Sequence, residues 1–340
     1  MMAKNMKNKL NIAVVGATGL VGKTVIKILD KTDFPVNKLT LFASERSTGE
    51  KNFNNNTYQV QSLSPDSFVG VDLAIFSAGS EVSKEYAPVA VKSGCVVVDN
   101  SSYWRMDPEV PLVVPEVNPG DLEWHKGIIA NPNCSTIQLV IALKPIHDRF
   151  LLKRVVCSTY QAVSGAGQKG INQLLNELEG TKSEDRISDH PVAFNTVFHP
   201  FSGDEGHTTE EIKMIQEPRK ILDLPELPIA VTCVRIPVIG GHGESVNIET
   251  QRPFTIKELT AALMDFPGTV VTADPKSEDY PTPRNAKKTD PVYIGRIRPD
   301  RSVENGAYLW IVADNIRKGA ATNAVQIAAI LHQKDLLLKH

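Results

Sequence analysis

Asn131 to Leu143 spell "NPNCSTIQLVIAL", a cysteine set between helix-capping residues and a long apolar run. Asn133, Ser135 and Thr136 are residue types that satisfy the first amides of a helix, and "IQLVIAL" predicts a buried helix behind them. Cys134 is therefore expected at a helix N-terminus, where unpaired N–H groups and the positive end of the helix dipole favour a thiolate over a thiol. Such a sulfur is a nucleophile, and the same amides are candidates to hold the oxyanion formed when it attacks an acyl carbon. Cys95, Cys157 and Cys233 sit in β-branched runs and are expected to be small core side chains.

The nucleophile needs partners. His242, in "GGHG", titrates ordinarily near neutrality (about pH 6.5) and is the candidate acid/base. His125, His147, His190, His199, His207, His332 and His340 lack a comparable setting and are expected at the surface or in structural roles. Arg235 follows the apolar run "IAVTCV", and its forked donors suit a carboxylate or phosphate. Arg105 has the same chemistry, while "EEIK" by itself is only a charged helix face.

These side chains have to be positioned by a larger framework. The chain has 340 residues, 41% of them hydrophobic, enough for two domains, and a formal net charge of -2 without a basic block, which argues against a nucleic-acid partner. Four widely spaced cysteines suggest neither a disulfide framework nor a metal site, and fit a reducing cytoplasm. No membrane span is expected, and the opening residues run into a glycine loop rather than a cleavage site, so no signal peptide is expected. The segment "NFNNNT" at 52–57 predicts a hairpin or loop tip.

In "KLNIAVVGATGLVGKTVIKIL" an apolar strand precedes Gly16, Gly19 and Gly22 and a helical period follows, the pattern of a dinucleotide site. Further strands are expected at "KLTLFAS", "VDLAIFSAG", "CVVVDNSS", "PLVVPEV" and "GIIANPN", giving a mostly parallel, doubly wound Rossmann-like sheet over residues 1–133. At the end of the second strand Ser44 and Arg46 favour the 2′-phosphate of NADP, whereas Glu45 suits the free hydroxyl of NAD. Residues 134–319 predict a second, α+β domain: a strand ending at "SGAG", a helix capped at Thr208 or Thr209, two strand-like runs around Gly240, Gly241 and Gly243, and a helix at "TIKELTAALMDF". The chain then gives a strand, a polar turn and a last helix over 320–340 that is expected to return to the first domain.

"GATGLVG", "NPNCSTIQ", "YQAVSGAG", "EEIKMIQEPRKIL", "CVRIPVIGGHGES" and "DNIRKGAATNAVQIA", in that order, resemble the bacterial aspartate-β-semialdehyde dehydrogenases. The resemblance implies a glyceraldehyde-3-phosphate-dehydrogenase-like subunit whose second domain carries catalysis and dimerisation, a homodimer or pair of dimers. It implies reduction of aspartyl-4-phosphate by NADPH to aspartate-4-semialdehyde and phosphate, on the way to lysine, threonine and methionine. By the same resemblance Cys134 is the nucleophile, Gln161 orients the intermediate, His242 is the acid/base, Arg235 clamps the substrate carboxylate and Glu210 meets its amino group, while Arg105, Asn133 and Lys213 bind phosphate. The cofactor set it implies is Gly16, Thr18, Gly19, Leu20, Val21, Gly22, Ser44, Arg46, Ser77, Gly79, Ser164, Gly165 and Asn323, with the turn at 317–319 nearby. Two alternatives stand beside this reading: an N-acetyl-γ-glutamyl-phosphate reductase with the same thioester logic, and a non-catalytic dinucleotide-binding regulator with an inert cysteine.

Overall fold

A computed structural model describes residues 9–53, 56–202 and 205–337. Residues 1–8, on which the leader reading falls, the tip of the 52–57 segment and His340 lie outside them. The elements run β1 Leu10–Val15, α1 Leu20–Lys31, β2 Val36–Phe42, β3 Gly49–Phe53, β4 Asn56–Gln61, β5 Leu73–Phe76, α2 Ser80–Lys92, β6 Val96–Asp99 and β7 Ile128–Ala130. They continue with α3 Cys134–Phe150, β8 Leu152–Gln161, α4 Gly167–Leu178, β9 Val197–Phe198, α5 Thr209–Ile221, β10 Ile229–Arg235 and β11 His242–Thr250. The last are α6 Ile256–Met264, β12 Thr269–Val271, α7 Pro283–Ala286, β13 Val292–Asp300, β14 Gly306–Ala313 and α8 Thr322–Gln333.

Two compact units result, one from Met1–Pro132 with Ala320–His340, the other from Asn133–Gly319. In the first, the sheet order is β3-β4-β2-β1-β5-β6-β7. Every pair is parallel except β3 with β4, which pair antiparallel and enter the 52–57 segment from either end. Parallel strands covered on both faces should be uniformly apolar, and β5 and β6 are buried at every position. Ala324, Val325, Ile327, Ala328 and Leu331 of α8 join Val25, Ile26 and Leu29 of α1 in one core, so the C-terminal helix does return to the dinucleotide unit. Each of the valine, isoleucine and leucine side chains contributes roughly 1.5–3 kcal/mol on burial.

One expected strand is missing. "PLVVPEV" makes only an isolated bridge, Leu112 with Ala130. Pro111 and Pro115 lack amide protons, so a ladder cannot continue through either end of the segment.

The second unit is built on a mixed sheet of order β12-β13-β14-β11-β8-β10-β9. Within it β8 runs parallel to β10 and antiparallel to the central β11. Helix α3 is buried on nearly every face, as its apolar run requires. Helix α5 starts with a capping box, in which Thr208 and Glu211 exchange bonds with each other's backbone.

Candidate active site

The glycine turn comes first in the chain. Gly16 has φ +82°, and a Cβ there would meet Ser77 O at 2.7 Å, while one at Gly22 would meet Gly16 O at 2.2 Å. Only glycine lets α1 pack this close to β1. Gly19, exposed, is the N-cap of α1 and caps it with no side chain, which leaves the first-turn amides of Leu20, Val21 and Gly22 for an anion. Gly79 starts α2 in the same uncapped way, and a Cβ at Gly79 would meet nothing within 4 Å. Thr18 lies in the turn, Ser77 donates its hydroxyl to Val15 O at 3.0 Å, and Ser44, Glu45 and Arg46 are exposed just beyond β2. The chemistry of this cradle fits a dinucleotide.

Two further residues of the first unit are held inside it. Asn323, fully buried, donates Nδ2 to Asn131 Oδ1 at 2.7 Å and to Val113 O at 3.0 Å. Arg105, also buried, donates Nε to Asn131 O and Nη2 to Asn100 O.

In the second unit Cys134 is half-buried as the first residue of α3. Its three sister thiols, Cys95, Cys157 and Cys233, are buried, and burial pushes each of them up, away from the reactive thiolate. Asn133 caps α3: its Oδ1 accepts from Ser135 N and Thr136 N, worth about 1 kcal/mol, and its Nδ2 donates to Glu210 Oε1 at 2.7 Å. This corrects one expectation, because the Ser135 and Thr136 amides are committed to the cap rather than to an oxyanion.

Sheet register gathers the rest. Arg235 stands opposite Gln161 across β10 and β8, and Gly243 stands opposite Tyr160 across β11 and β8, so residues 161, 235 and 242 end one row. Gln161 Nε2 donates to Ser135 Oγ at 3.0 Å and to Glu210 Oε1 at 3.2 Å. Lys213 Nζ reaches Glu210 Oε2 at 3.1 Å. Burial would raise the Glu210 carboxyl, yet the charge of Lys213 and the Asn133 bond hold it well below the usual range, so it is a buried carboxylate.

Ala162 orients two of these groups at once. Its N–H donates to His242 Nδ1 at 2.9 Å, and its carbonyl accepts from Arg235 Nη1 at 2.8 Å. Because Nδ1 accepts, the neutral ring carries its proton on Nε2, which is buried and has no hydrogen-bond partner among the described residues. Burial, then the charge of Arg235, push His242 down to about 3, so its ordinary near-neutral value is lost. A Cβ at Gly165 would lie 3.2 Å from Arg235 Nη1 and 3.3 Å from His242 Nε2, so a side chain there would press on both groups.

Three participants were not anticipated from the residue pattern, and a fourth, Gly319, was expected only as part of a turn near the cofactor. Glu217, fully buried, accepts from Asn133 N at 2.7 Å, and the i, i+3, i+7 spacing of Glu210, Lys213 and Glu217 is the signal that places them on one helical stripe. Asn315 Oδ1 accepts from Gly241 N at 3.0 Å and its Nδ2 donates to Ser164 Oγ, tying the loop before His242 to the turn after β8. Gly319 lies against Cys134. His199, expected at the surface or in a structural role, is buried with Nδ1 3.2 Å from Arg235 Nη2, inside the polar cluster.

A dinucleotide cradle in one unit and, in the other, a helix-start cysteine with buried His, Arg, Gln and Glu are the features of a dehydrogenase. Models of the semialdehyde dehydrogenase NAD binding domain and of the semialdehyde dehydrogenase dimerisation domain match residues 11–125 and 143–318. The chain belongs to the semialdehyde dehydrogenase family. It is 51% identical over 336 residues, 96% of this chain and 99% of the other, to an aspartate-semialdehyde dehydrogenase of Aquifex aeolicus. A crystal structure of aspartate semialdehyde dehydrogenase II complexed with ASA from Vibrio cholerae superposes with a TM-score of 0.91 at 44% identity, covering 96% of this chain and 98% of that one. A structure of aspartate semialdehyde dehydrogenase with NADP from Candida albicans gives 0.77 at 25% identity, covering 97% and 100%.

Proposed function

We propose that this chain catalyses the NADPH-dependent reductive dephosphorylation of L-aspartyl-4-phosphate to L-aspartate-4-semialdehyde, a step toward lysine, threonine and methionine, through a thioester on Cys134. The observation that carries the reading is the single buried cluster of Asn133, Gln161, Glu210, Arg235 and His242 built around the start of the helix that Cys134 opens.

The thiolate of Cys134 attacks the acyl carbon and expels phosphate, leaving a thioester. His242 donates from Nε2, a buried nitrogen without a partner among the described residues, to the oxyanion that forms in this step. Gln161, anchored on Ser135 and Glu210, orients the acyl group. Arg235 receives the substrate carboxylate on the N–H groups that Ala162 and His199 leave over, and Glu210, held ionised, receives its ammonium. Lys213 and Arg105, with Asn133, receive the departing phosphate. Gly16, Thr18, Gly19, Leu20, Val21, Gly22, Ser44, Arg46, Ser77, Gly79, Ser164, Gly165 and Asn323 would hold NADPH, which would supply the hydride for the thioester carbon, and Cys134 leaves as the thiolate when the aldehyde forms.

A buried carboxylate meant for a free ammonium argues against N-acetyl-γ-glutamyl phosphate, which has none. The match to a dimerisation domain supports a homodimer, and a pair of dimers is the larger assembly proposed. No helix among the described residues is long and apolar enough to cross a membrane, and the proposed location is the cytoplasm. The test is phosphate-dependent reduction of NADP by aspartate semialdehyde: Cys134→Ala abolishes it and retains nucleotide binding, whereas substantial residual turnover refutes the thioester.

A further inference from the structure

His199 follows the two-residue strand β9, whose Val197 pairs with Arg235 itself. This register brings the ring to the guanidinium, with Nδ1 3.2 Å from Arg235 Nη2 and only 7% of the residue exposed. A guanidinium can only donate, so Nδ1 is the acceptor and the ring is neutral with its proton on Nε2. Arg235 is thereby held at both terminal nitrogens, by His199 and by the Ala162 carbonyl.

The chemistry of the two acceptors is informative. Buried arginines are commonly fixed by carboxylates, but a carboxylate here would quench the charge that a substrate carboxylate must meet. Two neutral acceptors fix the plane of the fork and leave its charge intact. Arg235 and Lys213 oppose a charge on the ring, whereas Glu210 and Glu211 favour one; burial, the largest influence, settles it in favour of the neutral form.

Resting on the clamp role given to Arg235 above, we propose that His199 is a positioning residue: a neutral acceptor that aims the Arg235 fork at the substrate carboxylate without neutralising it. The test compares His199→Leu, His199→Asn, His199→Asp and Arg235→Ala, each checked for folding by thermal melting, with kcat and KM for aspartate semialdehyde measured at saturating NADP and phosphate. His199→Leu raises KM about tenfold or more with kcat changed far less, because the lost bond is to a charged group. His199→Asn, whose Oδ1 can take the place of Nδ1, restores KM to within a few-fold of the parent. His199→Asp, an acceptor that carries a charge, does not. The double variant His199→Leu with Arg235→Ala is no worse than Arg235→Ala alone.

An unchanged KM in His199→Leu, beside a raised KM in Arg235→Ala, overturns the positioning role and leaves the clamp standing. An unchanged KM in Arg235→Ala overturns both. Should the leucine variant fail to fold, the comparison of Asn with Asp decides: equal KM values for the two contradict the need for a neutral acceptor.

Discussion

Gly319 lies flush against Cys134: a Cβ added at position 319 would stand 2.9 Å from the cysteine Cβ and 3.3 Å from its Cα. Its amide donates to Asp314 O at 3.0 Å, which ties the glycine to the turn it belongs to. Gly319→Ala is expected to displace the sulfur by a few tenths of an ångström, lowering kcat roughly tenfold to a hundredfold with little change in NADP affinity. Steady-state kinetics and a nucleotide titration check this, and an unaltered kcat means that the contact relaxes without moving the thiol.

Acid should weaken the fold through two histidines. Burial, followed by the charge of Arg235, pushes His199 down to about 4 and His242 down to about 3. Below about pH 6.5 the unfolded chain takes up protons on these rings that the folded chain refuses, so stability is present above that pH and is lost as pH falls toward about 4. Each ring contributes at most about 1.4 kcal/mol per pH unit. Urea midpoints between pH 5 and 7 are predicted to fall with acidity, and less steeply in His199→Asn; equal slopes contradict the burial of a neutral ring.

Glu244 gives the opposite sign. It faces Thr159 across the β11 and β8 pair, two rows beneath the site, and burial raises its carboxyl well above the ordinary range. The unfolded chain ionises this residue above about pH 4.5 and the folded chain does not, so the group opposes folding increasingly as pH rises. Glu244→Gln is expected to raise the melting temperature near pH 7 and to change it little near pH 4; a loss at both values indicates that the acid makes bonds that glutamine cannot.

Nucleotide preference should follow the exposed turn beyond β2. Arg46→Ala is expected to raise KM for NADP about tenfold while leaving NAD little affected, because one forked contact to a 2′-phosphate is removed. Glu45→Ala is expected to improve NADP binding by removing a repulsive carboxylate. Side-by-side titrations with the two nucleotides check both, and equal effects on NAD and NADP place the 2′-phosphate elsewhere.

Local patterns made much of this molecule readable. The cap-cysteine-cap spelling around Cys134 located the start of α3, since Asn133 needs only its own next residues to form the cap. The glycine turn at 16–22 and the capping box at Thr208 are equally local. The missing strand at "PLVVPEV" shows where apolar pattern alone misleads, because two prolines remove donors that hydrophobicity does not register. His199 was hidden for a different reason: β9 has two residues and pairs with a strand more than thirty positions away, a long-range match with no local periodicity. Likewise the use of the α3 amides by Asn133, and the tautomer imposed on His242 by Ala162, depend on distances that no residue spacing encodes.

The most direct test of the central claim is intact-mass measurement on the protein incubated with aspartate semialdehyde and NADP in the absence of phosphate, then acid-quenched within the first turnover. Oxidation of the bound aldehyde should stop at the acyl-enzyme, giving a burst of NADPH that does not exceed the active sites and an aspartyl adduct mapped to Cys134 and released by phosphate. Sustained NADPH formation without phosphate and without any adduct on that sulfur would contradict it.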